Sequence, residues 1–537
     1  MKLALVAIHI EPSPRALPLG PAMLASVLRG AFGEVIQTRV VDAFVTEPAA
    51  ACAARILASD PDLVGFSMYV WNRSQTLEIA ARLKANRPDI VIFAGGAEAT
   101  ADVAGVLADP SMDFVLPGEG EEILVEAMGR LLQGDPPRAL AEWARPRPVK
   151  DLTDLPSPYL DGTLRPEDYG GALWELSRGC PFTCDFCFEA RGTAGTRRIP
   201  LARVEAELDL FEARGIREVF VLDPTFNYHK VQAKQVLRLI AAKAPGTHFF
   251  FEVRSEFLDR EMAGLFAAIR CTLQIGLQSA HDDVLRNISR SFDPEDFEAK
   301  ILLLHQAGVP YGFDLIYGLP GDTLEGFRES VDFAMGLVPN HLDVFRLSVL
   351  PGTRLAETAA GLQLRHEAHN PYRVLSSPSF SAADMDQAGR IAKGCDALYN
   401  QGRAVPWFGM LLEPLELRPS EVFEAFAAWL EAHPEAAPIE TQRGFFRSLF
   451  EARGDRLLGD LAADVIACFS YSSALMDEPS DEAAAVRRVS FHHDPRALMA
   501  QIEEGTTRLE ELAFSVEAMP CEVEFALVDG ELILRVQ

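Results

Sequence analysis

Three of the chain's eight cysteines fall within eight residues, in the stretch RGCPFTCDFC at 178–187: Cys180, Cys184 and Cys187. The other five (Cys52, Cys271, Cys395, Cys468, Cys521) are scattered singly. Thiolates this close suggest a metal site. Structural zinc takes four ligands, commonly as paired C-x2-C knuckles, and no second pair exists here. An iron–sulfur cube held by three thiolates leaves one iron without a cysteine, free to bind something else. The C-x3-C-x2-C spacing favours such a cluster, with zinc as the alternative.

Such a loop must be carried by a scaffold. From about residue 170, ALWELSRG runs into the cysteines. EVFVLDPTF, HFFFEVRS, TLQIGLQS, YGFDLIYGLPG and LDVFRLSVLPG follow, each separated by a helix-length segment. Six strand–helix units predict a parallel barrel, complete or partial, with its site at the strand carboxyl ends. An earlier series (LALVAIH, VIQTRVVDA, DLVGFSMY, DIVIFAGG, DFVLPG) alternates with helical patterns such as RSQTLEIAARLKANR. Short continuous apolar strands between helices predict a parallel sheet covered on both faces. Its carboxyl ends carry SMYVWNR (67–73), GGAEAT (95–100) and PGEGE (117–121), where glycines permit close backbone approach to a ligand or make tight turns.

The fold class expected is α/β: a doubly wound, Rossmann-like domain over 1–140, a proline-rich linker over 141–170, a partial (β/α)6 barrel over 171–365 and a mainly helical domain over 366–537. The closing CEVEFALVDGELILRVQ reads as a hairpin around VDGE. Lone Cys395, Cys468 and Cys521 read as core thiols. The adjacent histidines of FHHDP read as surface or turn residues.

A formal charge of −28, from 50 basic and 78 acidic residues, repels phosphate backbones and argues against nucleic-acid partners. No run of about 18 apolar residues predicts a membrane span. The opening MKLALVAIHIEPSP lacks a small-residue cleavage site and reads as a first strand, which points to a reducing cytoplasm.

RGCPFTCDFC resembles the cluster loop of the radical S-adenosylmethionine (SAM) superfamily. In that family a [4Fe-4S] cluster's open iron binds the amino and carboxylate groups of SAM, and one electron cleaves the sulfonium to a 5′-deoxyadenosyl radical. Further segments resemble the family's SAM pocket in the same order. Asp223 of DPTF stands where the methionine amino group binds, although the usual GGE is absent. Glu252 and Arg254 of FEVR resemble the groups that hold SAM's polar ends. Gln278 and Ser279 of GLQS, with DDVLRNISR after them, resemble the ribose and carboxylate segment. DLIYGLPGDT and LSVLPGT resemble the elements around adenine, and Phe186 resembles the aromatic residue whose backbone meets it.

A doubly wound domain directly before such a barrel resembles the cobalamin-dependent radical SAM class. That resemblance implies cobalamin contacts at Ser67, Met68, Tyr69, Arg73, Gly95, Gly96, Glu98, Gly118 and Glu119. The DxHxxG motif is missing, since Ala7 and Pro12 stand where its aspartate and glycine would flank His9. Base-off cobalamin without a histidine ligand is therefore expected. Arg73 is either a cation beneath cobalt, which would disfavour a fifth ligand, or an exposed arginine at a helix start. The C-terminal part resembles an uncharacterised domain often appended to this class.

The function implied is a cobalamin-dependent radical SAM methyltransferase moving a methyl group from SAM, via methylcobalamin, to a carbon of a small molecule or peptide. A flavodoxin or ferredoxin would donate electrons. The alternatives are a rearrangement or cyclisation enzyme with the same cofactors, or a noncatalytic cobalamin or redox sensor.

Overall fold

The computed structural model describes residues 1–189, 195–434, 437–476, 487–528 and 531–536. Five strands, β1 (Lys2–His9), β2 (Gln37–Phe44), β3 (Leu63–Ser67), β4 (Val91–Gly95) and β5 (Phe114–Val115), form the first sheet in the order β2-β1-β3-β4-β5. All neighbours are parallel. Alternate residues of β1 feed two separate cores. Leu3 and Leu5 pack with helices Leu19–Phe32 and Gly120–Leu132, whereas Ala4, Val6 and Ile8 pack with Ala49–Leu57 and Arg73–Asn86. Both faces are covered, so the strands read as continuous apolar runs. The strand order reverses between β1 and β3, where such sheets open a crevice at their carboxyl ends.

The expected linker is a packed connector. The helix Pro137–Trp143 runs into it, and its Val149, Leu152, Tyr159 and Leu164 are buried in the core of the barrel that follows. Prolines interrupt its periodicity, but its apolar residues still find a place on the barrel.

The chain then forms β6 (Gly171–Trp174) and a short antiparallel pair, β7 (Ser177–Arg178) with β8 (Arg197–Arg198), which brackets the cysteine stretch. β9 (Glu218–Val221), β10 (His248–Val253), β11 (Cys271–Gln278), β12 (Tyr311–Tyr317) and β13 (His341–Arg346) complete a six-stranded parallel sheet in the order β13-β12-β11-β10-β9-β6. This is the expected partial barrel.

Past it lie β14 (Arg365–His366), β15 (Val374–Ser376), the helices Ala382–Cys395, Pro419–Ala432, Pro438–Ala452 and Arg456–Met476, and an antiparallel sheet of β16 (Arg487–His493), β17 (Ala518–Val528) and β18 (Glu531–Val536). β17 and β18 form the expected hairpin; its turn at 529–530 lies outside the described residues. These helices share one continuous apolar core with the barrel. Cys395 and Cys468 are buried in it, and Cys521 is half-buried.

The reading of FHHDP as surface is corrected. His493 is 2% exposed, its Nδ1 lies 2.9 Å from Asp464 Oδ2, and that oxygen also accepts the backbone N–H groups of His492 and His493. A register shift between Phe491 and His493 in the β16–β17 pairing turns both amides toward one buried carboxylate.

Candidate functional site

The cysteine loop leaves β7 through Gly179, whose φ of +86° lies in the left-handed region. It is braced from behind by Asp223. This carboxylate accepts the amides of Leu176 and Ser177 at 2.8 and 3.0 Å and the Ser177 hydroxyl at 2.6 Å. Burial pushes it up to about 6 despite those donors. Asp223 lines a small cavity behind the loop and does not line the large one in front.

The large cavity, about 800 Å³, is lined by Cys180, Cys184 and Cys187, by Phe186, and by inward residues of the strands, including Glu252, Arg254 and Gln278. Burial pushes the Cys180 thiol up. The Arg254 guanidinium stacks 3.9 Å from the Phe182 ring centroid and pairs with Glu256. Glu252 faces the cavity rather than the packed core, and desolvation by the surrounding barrel wall raises its carboxyl. Gln278 has a φ of +62° at a break in the β11–β12 register and is 7% exposed; its Oε1 has no hydrogen-bond partner. Ser279 turns away, buried against the hydroxyl of Ser330.

The structure adds residues that sequence reasoning passed over. Arg290 donates to the Gly276 carbonyl at 2.8 Å and lies against Cys184, while its buried Nε has no partner. In mid-lumen, Gln274 Nε2 donates to Asp314 and, at 3.1 Å, to Asp343. Burial pushes Asp314 up to about 7, with Asp343 and Glu252 adding to the shift and Gln274 and Arg290 opposing it. Leu222 and Phe345, 46% and 53% exposed, give the same cavity apolar walls. A single polar residue recurring at the inward positions of apolar strands, as in TLQIGLQ and YGFDLIY, was the available signal.

A second cavity, about 150 Å³, opens at the carboxyl ends of β3, β4 and β5. It is lined at and just past those ends by Ser67, Tyr69, Gly95, Gly96, Leu116 and Gly118, with Gly20, mid-strand Leu5 of β1 and Gly65 of β3. Gly96, at φ +95°, lies so close to the β3 exit that a Cβ would sit 2.7 Å from the Met68 carbonyl oxygen. At Gly20 a Cβ would meet nothing within 4 Å. Tyr69, Gly120 and Glu121 line both cavities, so the slot and the barrel cavity share a wall. Tyr69 is stacked on Trp71, with ring centroids 4.4 Å apart.

Of the remaining candidates on this domain, Glu119 lines the large cavity while Met68, Arg73 and Glu98 line neither. Met68 is buried. Arg73 is held by Glu98 at 2.8 Å and Asp102 at 2.7 Å, and Glu98 is covered by Tyr372. Arg73 is neither an exposed arginine nor a free cation facing the slot.

These residues suit the groups the resemblance implies. Among the described residues no three His, Cys, Asp or Glu side chains converge on one ion. Cys180, Cys184 and Cys187 all line the large cavity, which has room beyond their thiols for a cluster. The orphaned Gln278 Oε1 and Arg290 Nε are an unpartnered acceptor and donor among the residues lining the cysteine cavity. The glycine-lined slot admits a ligand segment between strand exits.

Two family descriptions match the chain: B12 binding domain over residues 7–128 and Radical SAM superfamily over residues 174–334. The cobalamin-dependent radical SAM methyltransferase TokK of Streptomyces tokunonensis is 27% identical over 334 residues, 55% of this chain and 48% of its own length. The tryptophan 2-C-methyltransferase of Streptomyces laurentii is 31% identical over 209 residues, 34% of this chain and 35% of its own. The chain spans about half the length of the first curated relatives it matches. The structure of TsrM from Kitasatospora setae with cobalamin and [4Fe-4S] cluster bound has a TM-score of 0.58 at 19% identity, covering 84% of this chain and 99% of that one, a likeness of fold. The chain thus joins a region matching the B12 binding domain to one matching the radical SAM superfamily.

Proposed function

We propose that the protein is a cobalamin-dependent radical SAM methyltransferase that moves a methyl group from SAM to a carbon of a small-molecule or peptide substrate. The observation that carries this reading is the shared wall at Tyr69, Gly120 and Glu121, which sets the slot directly beside the cysteine cavity. When bound, the cluster supplies one-electron reduction of SAM and cobalamin supplies a carrier for the methyl group.

The chain's own residues bind, orient and exclude water. Cys180, Cys184 and Cys187 hold the cluster. Arg254, fixed between Phe182 and Glu256, offers a cation for SAM's carboxylate, and Glu252 offers a counter-charge for its ammonium or sulfonium. Gln278 Oε1 accepts from a ribose hydroxyl. Leu222, Ile316 and Phe345 keep the lumen apolar beside the carboxylates, which strengthens each polar contact. Placing two ligands across one cavity makes group transfer between them effectively intramolecular.

Electrons would come from a flavodoxin or ferredoxin. We place the protein in a reducing cytoplasm: all eight cysteines are among the described residues and none is disulfide-bonded. No helix among the described residues is long and apolar enough to cross a membrane.

The test is anaerobically purified protein assayed for iron, sulfide and cobalt, then for SAM turnover to S-adenosylhomocysteine with and without cobalamin. Cobalamin-dependent product, lost in Cys184→Ala and kept in Cys395→Ala, supports the reading. Zinc in place of iron, or turnover indifferent to cobalamin, refutes it.

A further inference from the structure

We propose that Tyr372 is a positioning residue for bound cobalamin, clasping the loop at 67–73 of the first sheet to the exit of the barrel's last strand. The proposal rests on the cobalamin part of the reading above.

Tyr372 sits on the strap between β14 and β15. On its barrel side the strap is bonded to the residues that follow β13. The Val349 N–H donates to the Tyr372 carbonyl at 2.9 Å, and the Val374 N–H donates to the Leu347 carbonyl at 2.8 Å. The Arg346 Nε donates to the Val374 carbonyl at 2.7 Å.

On its other side the strap reaches the first domain. The Tyr372 hydroxyl donates to Glu98 Oε1 at 2.5 Å, and Arg73 donates to that same oxygen at 2.8 Å and to the tyrosine oxygen at 3.1 Å. Asn370 donates to the Val70 carbonyl at 3.2 Å and accepts from the Ser74 hydroxyl at 3.1 Å.

Two features make this more than a surface contact. Glu98 is 4% exposed and Tyr372 is 7% exposed, so the cluster is desolvated. Tyr372 also has a φ of +60°, a region that bulky side chains rarely adopt and that persists where surrounding contacts over-determine it.

The held loop is the one that matters for the slot. Val70, whose carbonyl Asn370 holds, follows Tyr69, the side chain lining both cavities. Glu98 follows Gly96, whose backbone closes on Met68. The strap therefore fixes two rims of the slot to the barrel, and with them the spacing between a ligand in the slot and one on the cysteines.

The test removes one hydroxyl. Tyr372→Phe should fold and keep its cluster, bind hydroxocobalamin about tenfold more weakly, as loss of a bond to a charged group implies, and shift the electron paramagnetic resonance spectrum of bound cob(II)alamin. Asn370→Ala should move both readouts the same way. Tyr399→Phe is the matched control, because it removes a buried hydroxyl bonded to the Pro339 carbonyl, far from the loop. It should lower the melting temperature and leave both cobalamin readouts unchanged. Wild-type affinity and spectrum in Tyr372→Phe, or equal weakening in Tyr399→Phe, overturns the clasp alone. A wild-type chain that takes up no cobalamin overturns the clasp together with the reading beneath it.

Discussion

Asp314→Asn should stabilise the protein, and by more as the pH rises. Asp314 lies in the barrel lumen with its carboxyl pushed up to about 7 from an ordinary 3.8, first by burial and then by Asp343 and Glu252. A carboxyl raised in the folded state stays protonated there while the unfolded chain has already released its proton. The folded state thus binds more protons between about pH 4 and 7, and stability falls as pH rises through that window. From pH 5 to pH 7 the loss is two units at ~1.4 kcal/mol each, or about 2–3 kcal/mol for a side chain in a cavity wall. Asparagine keeps the acceptor that Gln274 uses and carries no charge. The melting temperature of Asp314→Asn should therefore gain on the wild type by roughly 3–4 °C between pH 5 and pH 8, because an unfolding entropy of ~2 cal/mol/K per residue is spread over the core shared by barrel and C-terminal helices. The assay is differential scanning of both proteins at matched rates from pH 5 to 8. A gap that stays constant across that range, or narrows with rising pH, would refute the reasoning, because it would mean Asp314 is ionised throughout.

Two further predictions test the scaffold. Gly96→Ala forces a Cβ to 2.7 Å from the Met68 carbonyl at a φ of +95°, a strain of about 1–3 kcal/mol before any clash. Its cobalamin content should fall at least several-fold, whereas Gly129→Ala, with nothing nearer than 3.9 Å, should match the wild type. Glu207 is 1% exposed and accepts from Ser157, Trp174 and Arg203 at 2.5, 2.9 and 2.9 Å. Glu207→Gln turns an amide toward donors and removes a buried charge's partner, so it should cost about 2–4 kcal/mol, read as a lower melting temperature.

What the sequence disclosed was whatever depends on local spacing. Three cysteines in eight residues, apolar runs alternating with helices, and glycines at strand ends are written in consecutive residues. They led to the barrel, the first sheet and the slot. Residues whose role depends on a distant partner were opaque. Asp223 looked available to a ligand until its oxygens were found on Leu176 and Ser177, some 46 residues earlier. Arg73 reads as a loose cation because Tyr372, which covers its partner, is 299 residues away. Gln274 and Asp314 were passed over for another reason: one polar residue in an apolar strand has no recognisable spacing of its own. Only closure of the barrel brings such residues from neighbouring strands into one lumen.

The carboxylates of the slot's loops show how the two halves are made to act together. Glu119 sits between Gly118 and Gly120, a place where a ligand contact was expected. Its oxygens instead meet Arg197 at 2.5 Å and Arg178 at 3.3 Å and accept the Val149 N–H at 2.9 Å. Burial raises its carboxyl, but these donors outweigh it and hold the group below the usual range. Glu121 takes the other end of Arg178 at 2.6 Å, and Arg178 stands two residues before Cys180. The glycine-lined slot and the cysteine loop thus hang on a shared set of ion pairs. Desolvating these charges offsets much of their attraction, while removal of any one partner would strand a buried charge. Their consequence is registry more than net stability. On the opposite rim Glu98 does the same through Arg73 and Tyr372. The glycines shape the slot, and the carboxylates beside them tie its loops to the barrel.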